Sequence, residues 1–111
     1  GERGTLAEDG IKDLKSYPNP YERGNHTGGM TIQFDLVKDA RVTATVYDLA
    51  GEEVAVIFDG HMASNPEAAI NWDGFTTNGV EVSTGVYLVR IEAKAGNDYA
   101  SDVVKVAIIQ D

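Results

Sequence analysis

Apolar residues in this chain recur at every second position, in short runs broken by glycine and polar turn residues. From Met30 to Leu36 the alternation is clean, with Met30, Ile32, Phe34 and Leu36 on one face and Thr31, Gln33 and Asp35 on the other. That pattern predicts a half-buried strand. Arg41 to Asp48 alternates again, placing Val42, Ala44 and Val46 inward and Thr43, Thr45 and Tyr47 outward. Leu49-Ala50-Gly51-Glu52 reads as a tight hairpin in which Gly51 supplies the positive φ. Glu53 to Phe58 returns, with Val54, Val56 and Phe58 sharing a face. Asp59 to Ala68 reads as a polar loop, and Ala69 to Trp72 as a short strand that buries Ile70 and Trp72. From Val86 to Ala93 the charges of Arg90 and Glu92 must face water, so Tyr87, Val89 and Ile91 point inward. A turn through Gly96-Asn97 leads to a last strand, Tyr99 to Ile109, with Val104, Val106 and Ile108 inward.

The opening of the chain is different. Residues 1–16 are polar and read as a leader or interdomain linker, in which Ile11 and Leu14 allow one helical turn or a short docking strand. In Tyr17-Pro18-Asn19-Pro20-Tyr21 the prolines fix φ and remove donors, which suits an edge strand at the start of a domain spanning residues 17–111. The predicted class is all-β: a seven-stranded β-sandwich of the immunoglobulin or fibronectin type III kind, with a small open barrel as the alternative.

Composition narrows the function classes. A chain of 111 residues holds one domain, and 42% hydrophobic residues exclude a disordered one. The absence of cysteine excludes disulfides, thiolate zinc sites and a cysteine nucleophile. A net charge of −9 without a basic cluster argues against nucleic acid and anionic membranes as partners. No run approaches the roughly 20 apolar residues of a membrane-spanning helix, so membrane insertion is not expected. The first fifteen residues lack the apolar centre of a signal peptide.

No catalytic set emerges, and the expectation is that the protein is not an enzyme. His26 and His61 fall in loops at opposite ends of a sandwich and cannot share a metal. His61 and Ser64 share a loop but lack a nucleophile elbow. Neither a metal nor a cofactor is expected. The nearest approach to a calcium site is the acidic set Asp48, Glu52, Glu53, Asp73 and Glu81, with Glu22 beside it, if the loops 22–29, 48–53 and 73–85 gather at one end. Trp72 is a core residue by its spacing from Ile70, and the stretch from Ile70 to Tyr87 carries the chain from one sheet to the other. Tyr87 is placed to bond back to that connection. Tyr47 is the outward aromatic that would serve a polysaccharide ligand.

Landmarks recur in a definite order: Ser16-Tyr17-Pro18-Asn19-Pro20-Tyr21, Val46-Tyr47-Asp48-Leu49-Ala50-Gly51-Glu52-Glu53-Val54, Trp72-Asp73-Gly74, Gly79, Gly85-Val86-Tyr87-Leu88 and Lys105-Val106-Ala107-Ile108-Ile109. Over residues 16–110 this order resembles the immunoglobulin-like domain of the flagellar hook-capping protein FlgD. It also resembles related C-terminal modules of secreted bacterial proteins, including the type A sorting domain of the type IX secretion system. The resemblance implies a β-sandwich, a bacterial protein at the cell surface or outside the cell, and no catalysis. Its partners would be other proteins or neighbouring domains of the same polypeptide. Phe75 and Thr76 stand where polar or acidic residues often follow the Trp-Asp-Gly, so no ligand contact is carried over there. Three roles fit. The first is an accessory module for spacing, surface attachment, assembly or sorting. The second is a self-assembling subunit that donates its leader or an edge strand, with Ile11 and Leu14 as anchors. The third is a carbohydrate-binding module.

Overall fold

The computed structural model describes residues 10–110; the first nine residues of the predicted leader, and Asp111, lie outside them. The strands are β1 (Ile11–Tyr17), β2 (Tyr21–Glu22), β3 (Met30–Leu36), β4 (Ala40–Asp48), β5 (Glu53–Met62), β6 (Asn65–Trp72), β7 (Gly85–Ala95) and β8 (Asp98–Ile109). They form two sheets, one ordered β1-β3-β6 and the other β2-β8-β7-β4-β5. All pairings are antiparallel except the short parallel one between β2 and β8.

The core lies between the sheets and follows the predicted alternation. Met30, Ile32, Phe34 and Leu36 of β3 face Val42, Ala44 and Val46 of β4 and Tyr87, Val89 and Ile91 of β7, all buried together with Ile70, Trp72, Val106 and Ile108. Removing this apolar surface from water supplies the main driving force for folding.

Four details depart from the sequence reading. There are eight strands rather than seven. Residues 11–16, read as the end of a leader, belong to β1, which pairs with β3 from Ile11↔Leu36 to Tyr17↔Thr31. It is an edge strand with only Ile11 fully buried, so its sequence stays polar. The stretch read as a loop over Asp59 to Ala68 is mostly strand, with β5 running to Met62 and β6 starting at Asn65. Both are edge strands, where exposed polar residues and Pro66 are tolerated. Val56 is exposed although simple alternation groups it with Phe58. The ladder runs Ala44↔Phe58, Thr45↔Val56, Val46↔Ala55 and Tyr47↔Glu53, so Ile57 and Val54 are extra residues of two bulges. A one-residue bulge switches the faces. Phe58 and Ala55 then turn inward and Val56 outward, opposite Thr45.

Each sheet edge is interrupted. β1 bulges between Lys12 and Lys15, with Asp13 at φ 56°. β6 carries Pro66 and a register shift. β5 has its bulges, and Thr77 covers part of it by accepting from the Val56 amide and donating to the Val54 carbonyl. On β8, beyond the short β2, the side chain of Asn19 bonds the Lys105 carbonyl and the Ala107 amide, and Asp102 sits in register with buried Ile91 yet is exposed. Bulges, prolines and inward-facing charges are devices that stop sheets from pairing edge to edge.

Candidate functional site

The best-organised end of the molecule forms where the loop after β2, the connection from β6 to β7 and Gln110 meet. Arg23 is its centre. Its guanidinium lies 5.6 Å from the Tyr21 ring centroid and 5.3 Å from that of Phe75. Its Nε donates to Glu81 Oε2 at 2.7 Å and to Gln110 Oε1 at 3.0 Å. Its two terminal nitrogens point at the carbonyls of Asp73 and Gly74, both at 3.4 Å. Gln110 extends the network, donating from Nε2 to the Val82 carbonyl and from its amide to Thr84 Oγ1. Gly74 is required here: its φ is +84°, and a Cβ would collide with the Arg23 guanidinium.

Behind this network the crossover packs on the core. Trp72 is buried, and its ring meets Tyr87 edge to face at 5.7 Å. The indole Nε1 donates to the Phe75 carbonyl at 3.0 Å, and the Tyr87 hydroxyl donates to the Ser83 carbonyl at 2.7 Å. The stretch from Ile70 to Tyr87 thus runs from one sheet to the other, as its sequence predicts, and its aromatics hold it down by their polar tips. Gly29 lies against the Trp72 carbonyl, where a Cβ would not fit.

Four of the six acidic residues singled out in the sequence are separately engaged. Asp48 closes the β4–β5 hairpin, its Oδ1 accepting from the amides of Ala50 and Glu52 at 2.9 Å each. Asp73 Oδ1 accepts from the Phe75 amide, and Glu81 pairs with Arg23. Glu22 Oε1 accepts from Asn25 Nδ2. Glu52 is exposed at the hairpin tip and Glu53 stands opposite Tyr47. Among the described residues no group of three or more His, Cys, Asp or Glu could hold a metal ion. The loops 22–29 and 73–85 do meet, but through Arg23, not through shared carboxylates.

The histidines are apart from one another. His26 stacks on Tyr21 and accepts the Glu22 amide at Nδ1. His61 is not in a loop but on β5, opposite Arg41. The Ser64 amide donates to Asp39 Oδ1 at 2.8 Å, and that bond holds the Asp39 carboxyl below its ordinary range. A cleft of about 310 Å³ lies between β5 and the residues after Trp72; Trp72 borders it but is only 1% exposed. Another, of about 660 Å³, opens where β1 bulges beside Phe34 and Pro66. No helix among the described residues is long and apolar enough to cross a membrane.

Sequence reasoning missed Arg23. The available signals were its i, i+2 spacing from Tyr21 and the unusual phenylalanine after Trp72-Asp73-Gly74. Neither points to the other without the fold.

Compared with known proteins, the profile of a family described as FlgD Ig-like domain matches residues 21–97. A search of curated proteins finds no match. Among solved structures, dimeric latent PorU from Porphyromonas gingivalis is similar with a TM-score of 0.70 and 19% identity, covering 88% of this chain and 9% of that one. PorZ from the same organism, described as an essential bacterial surface component of the type IX secretion system, is similar with a TM-score of 0.56 and 22% identity, covering 87% of this chain and 11% of that one.

Proposed function

The chain belongs to the FlgD Ig-like domain family, and we propose that it is a non-catalytic module of a larger exported bacterial protein, holding neighbouring parts of that protein in place at the cell surface. The observation that carries this reading is one of proportion. The fold recurs as about a tenth of much longer chains, one of them described as a surface component of the type IX system. Two features of the molecule support it. The side chains at the organised end neutralise one another, leaving no convergent acid, base or nucleophile. The interrupted edges and the docking of β1 on its own β3 favour a self-contained unit over one that donates a strand to its neighbour.

The test is deletion of residues 10–110 from the parent polypeptide in its native bacterium. Surface exposure is followed by protease shaving, and the parent's activity is measured on purified protein. Loss of surface exposure with unchanged activity is expected. Lost activity with unchanged surface exposure would overturn the reading.

A further inference from the structure

The register of the five-stranded sheet brings together side chains far apart in the sequence. His61 stands opposite Arg41, Arg41 opposite Lys94, and Lys94 opposite Tyr99. Opposed residues in an antiparallel ladder share a face. These residues therefore form one row across β5, β4, β7 and β8. They face away from the core, because their chain neighbours Val42, Ala93 and Ala100 are buried. Arg90 and Lys105 lie on the same face, which thus holds four of the nine Lys and Arg residues of a chain with net charge −9. Like charges directly opposed destabilise a sheet. Arg41 is offset by Asp59, whereas Lys94 directly opposite it has no such partner among the described residues.

Tyr99 adds a second element. It stands opposite Lys94, yet its hydroxyl donates to Glu92 Oε2 at 2.8 Å and accepts from Arg90 Nη2 at 3.1 Å. Glu92 and Arg90 are two and four residues back along β7, so the ring leans along the strand and is tethered at its tip while the residue stays 45% exposed. Beside it a shallow cleft of about 250 Å³ is bordered by Arg41, Thr43, Glu92, Lys94 and Tyr99.

We infer that this cleft binds an acidic saccharide, a sugar ring that carries a carboxylate. The exposed face of Tyr99 takes the C–H face of the ring. Arg41 and Lys94 meet the carboxylate, and Thr43 and Glu92 bond the hydroxyls. Arg41 is held by Asp59 at 2.6 Å, but both side chains are more than half exposed and such a pair exchanges readily. Lys94 is exposed and has no carboxylate partner among the described residues. An acidic peptide fits less well. The next row, with Asp59 opposite Thr43 and Thr43 opposite Glu92, places carboxylates that repel a run of acids and accept from sugar hydroxyls. The inference concerns the outer sheet face and does not rest on the role proposed for the module.

The test is titration of the whole chain with an oligosaccharide that carries a single uronate ring, read by backbone amide NMR shifts, alongside the neutral oligosaccharide of equal length and an oligoglutamate. The uronate is expected to shift amides around Arg41, Glu92, Lys94 and Tyr99 at millimolar concentration. Lys94→Glu should weaken it about tenfold or more without lowering the melting temperature, Tyr99→Ala should weaken it as much while the chain stays folded, and Tyr99→Phe should weaken it less. No shift with the uronate would overturn the inference. So would equal binding of the neutral sugar, or of oligoglutamate, which would assign the face to an acidic peptide.

Discussion

Arg23→Ala should cost about 2–3 kcal/mol, and most of that loss should come from the aromatic contacts and not from the ion pair. The Glu81 side chain is 44% exposed, so its bond to Arg23 belongs with surface pairs, worth about 0–1 kcal/mol. The guanidinium also lies over two rings, at 5.6 Å from Tyr21 and 5.3 Å from Phe75. A cation over one ring contributes about 0.5–1 kcal/mol at an exposed site and about 2 when desolvated. The Arg23 side chain is only 20% exposed, which puts each contact in the middle of that range. The carbonyl contacts at 3.4 Å are too long to change the balance. Urea melts followed by circular dichroism would compare Arg23→Ala, Arg23→Lys and Glu81→Gln. Lysine keeps the charge but lacks the planar fork, so Arg23→Lys should lose more than half of what alanine loses. Glu81→Gln should lose about 1 kcal/mol or less, with an effect that shrinks as salt is added. If Glu81→Gln costs as much as Arg23→Ala, the ion pair dominates and the reasoning fails.

Other outcomes follow from the same structure. Trp72→Ala should cost about 3–5 kcal/mol, because a fully buried ring is deleted and the Phe75 carbonyl loses its donor; a loss under about 1 kcal/mol in denaturant melts would contradict the burial. Asp39 has a folded pKa below its ordinary 3.8, so its contribution is complete above that value and lost as pH falls through the lowered one. An asparagine side chain at this position would still accept the Ser64 amide without titrating, so Asp39→Asn should make the acid limb of melting temperature against pH shallower; superimposable limbs would refute this. Millimolar calcium should leave the melting temperature unchanged, since Asp48, Asp73 and Glu81 bind separate protein groups; a clear upward shift would reopen the metal question.

The strands most legible in the sequence are β3, β7 and β8: the β7–β8 register is uninterrupted, and at β3 the extra residues fall on β1 and β6, so the alternation of β3 stays in phase with the core. β5 is misread where its ladder to β4 bulges, because a bulge leaves no mark in a run such as Val54-Ala55-Val56-Ile57. β1 is hidden by its position, since an edge strand with one buried residue needs little hydrophobicity. The roles of Trp72 and Tyr87 can be read because each depends on parity and a nearby loop. Arg23 and the row through Arg41 and Lys94 cannot, because their neighbours are set by loop closure and by cross-strand register.

The parallel seam beside β8 has a mechanical consequence. Residues 19–23 run alongside residues 105–110: Asn19 bonds Lys105 and Ala107, Tyr21 and Glu22 stand against Ile108 and Ile109, and Arg23 bonds Ile109 and Gln110. Once tension along the polypeptide reaches Asn19 from one side and Gln110 from the other, it pulls these parallel segments past each other. The bonds between them are then loaded side by side, in shear, and must break together instead of unzipping in turn. A domain built this way resists tension applied across this seam before it begins to extend.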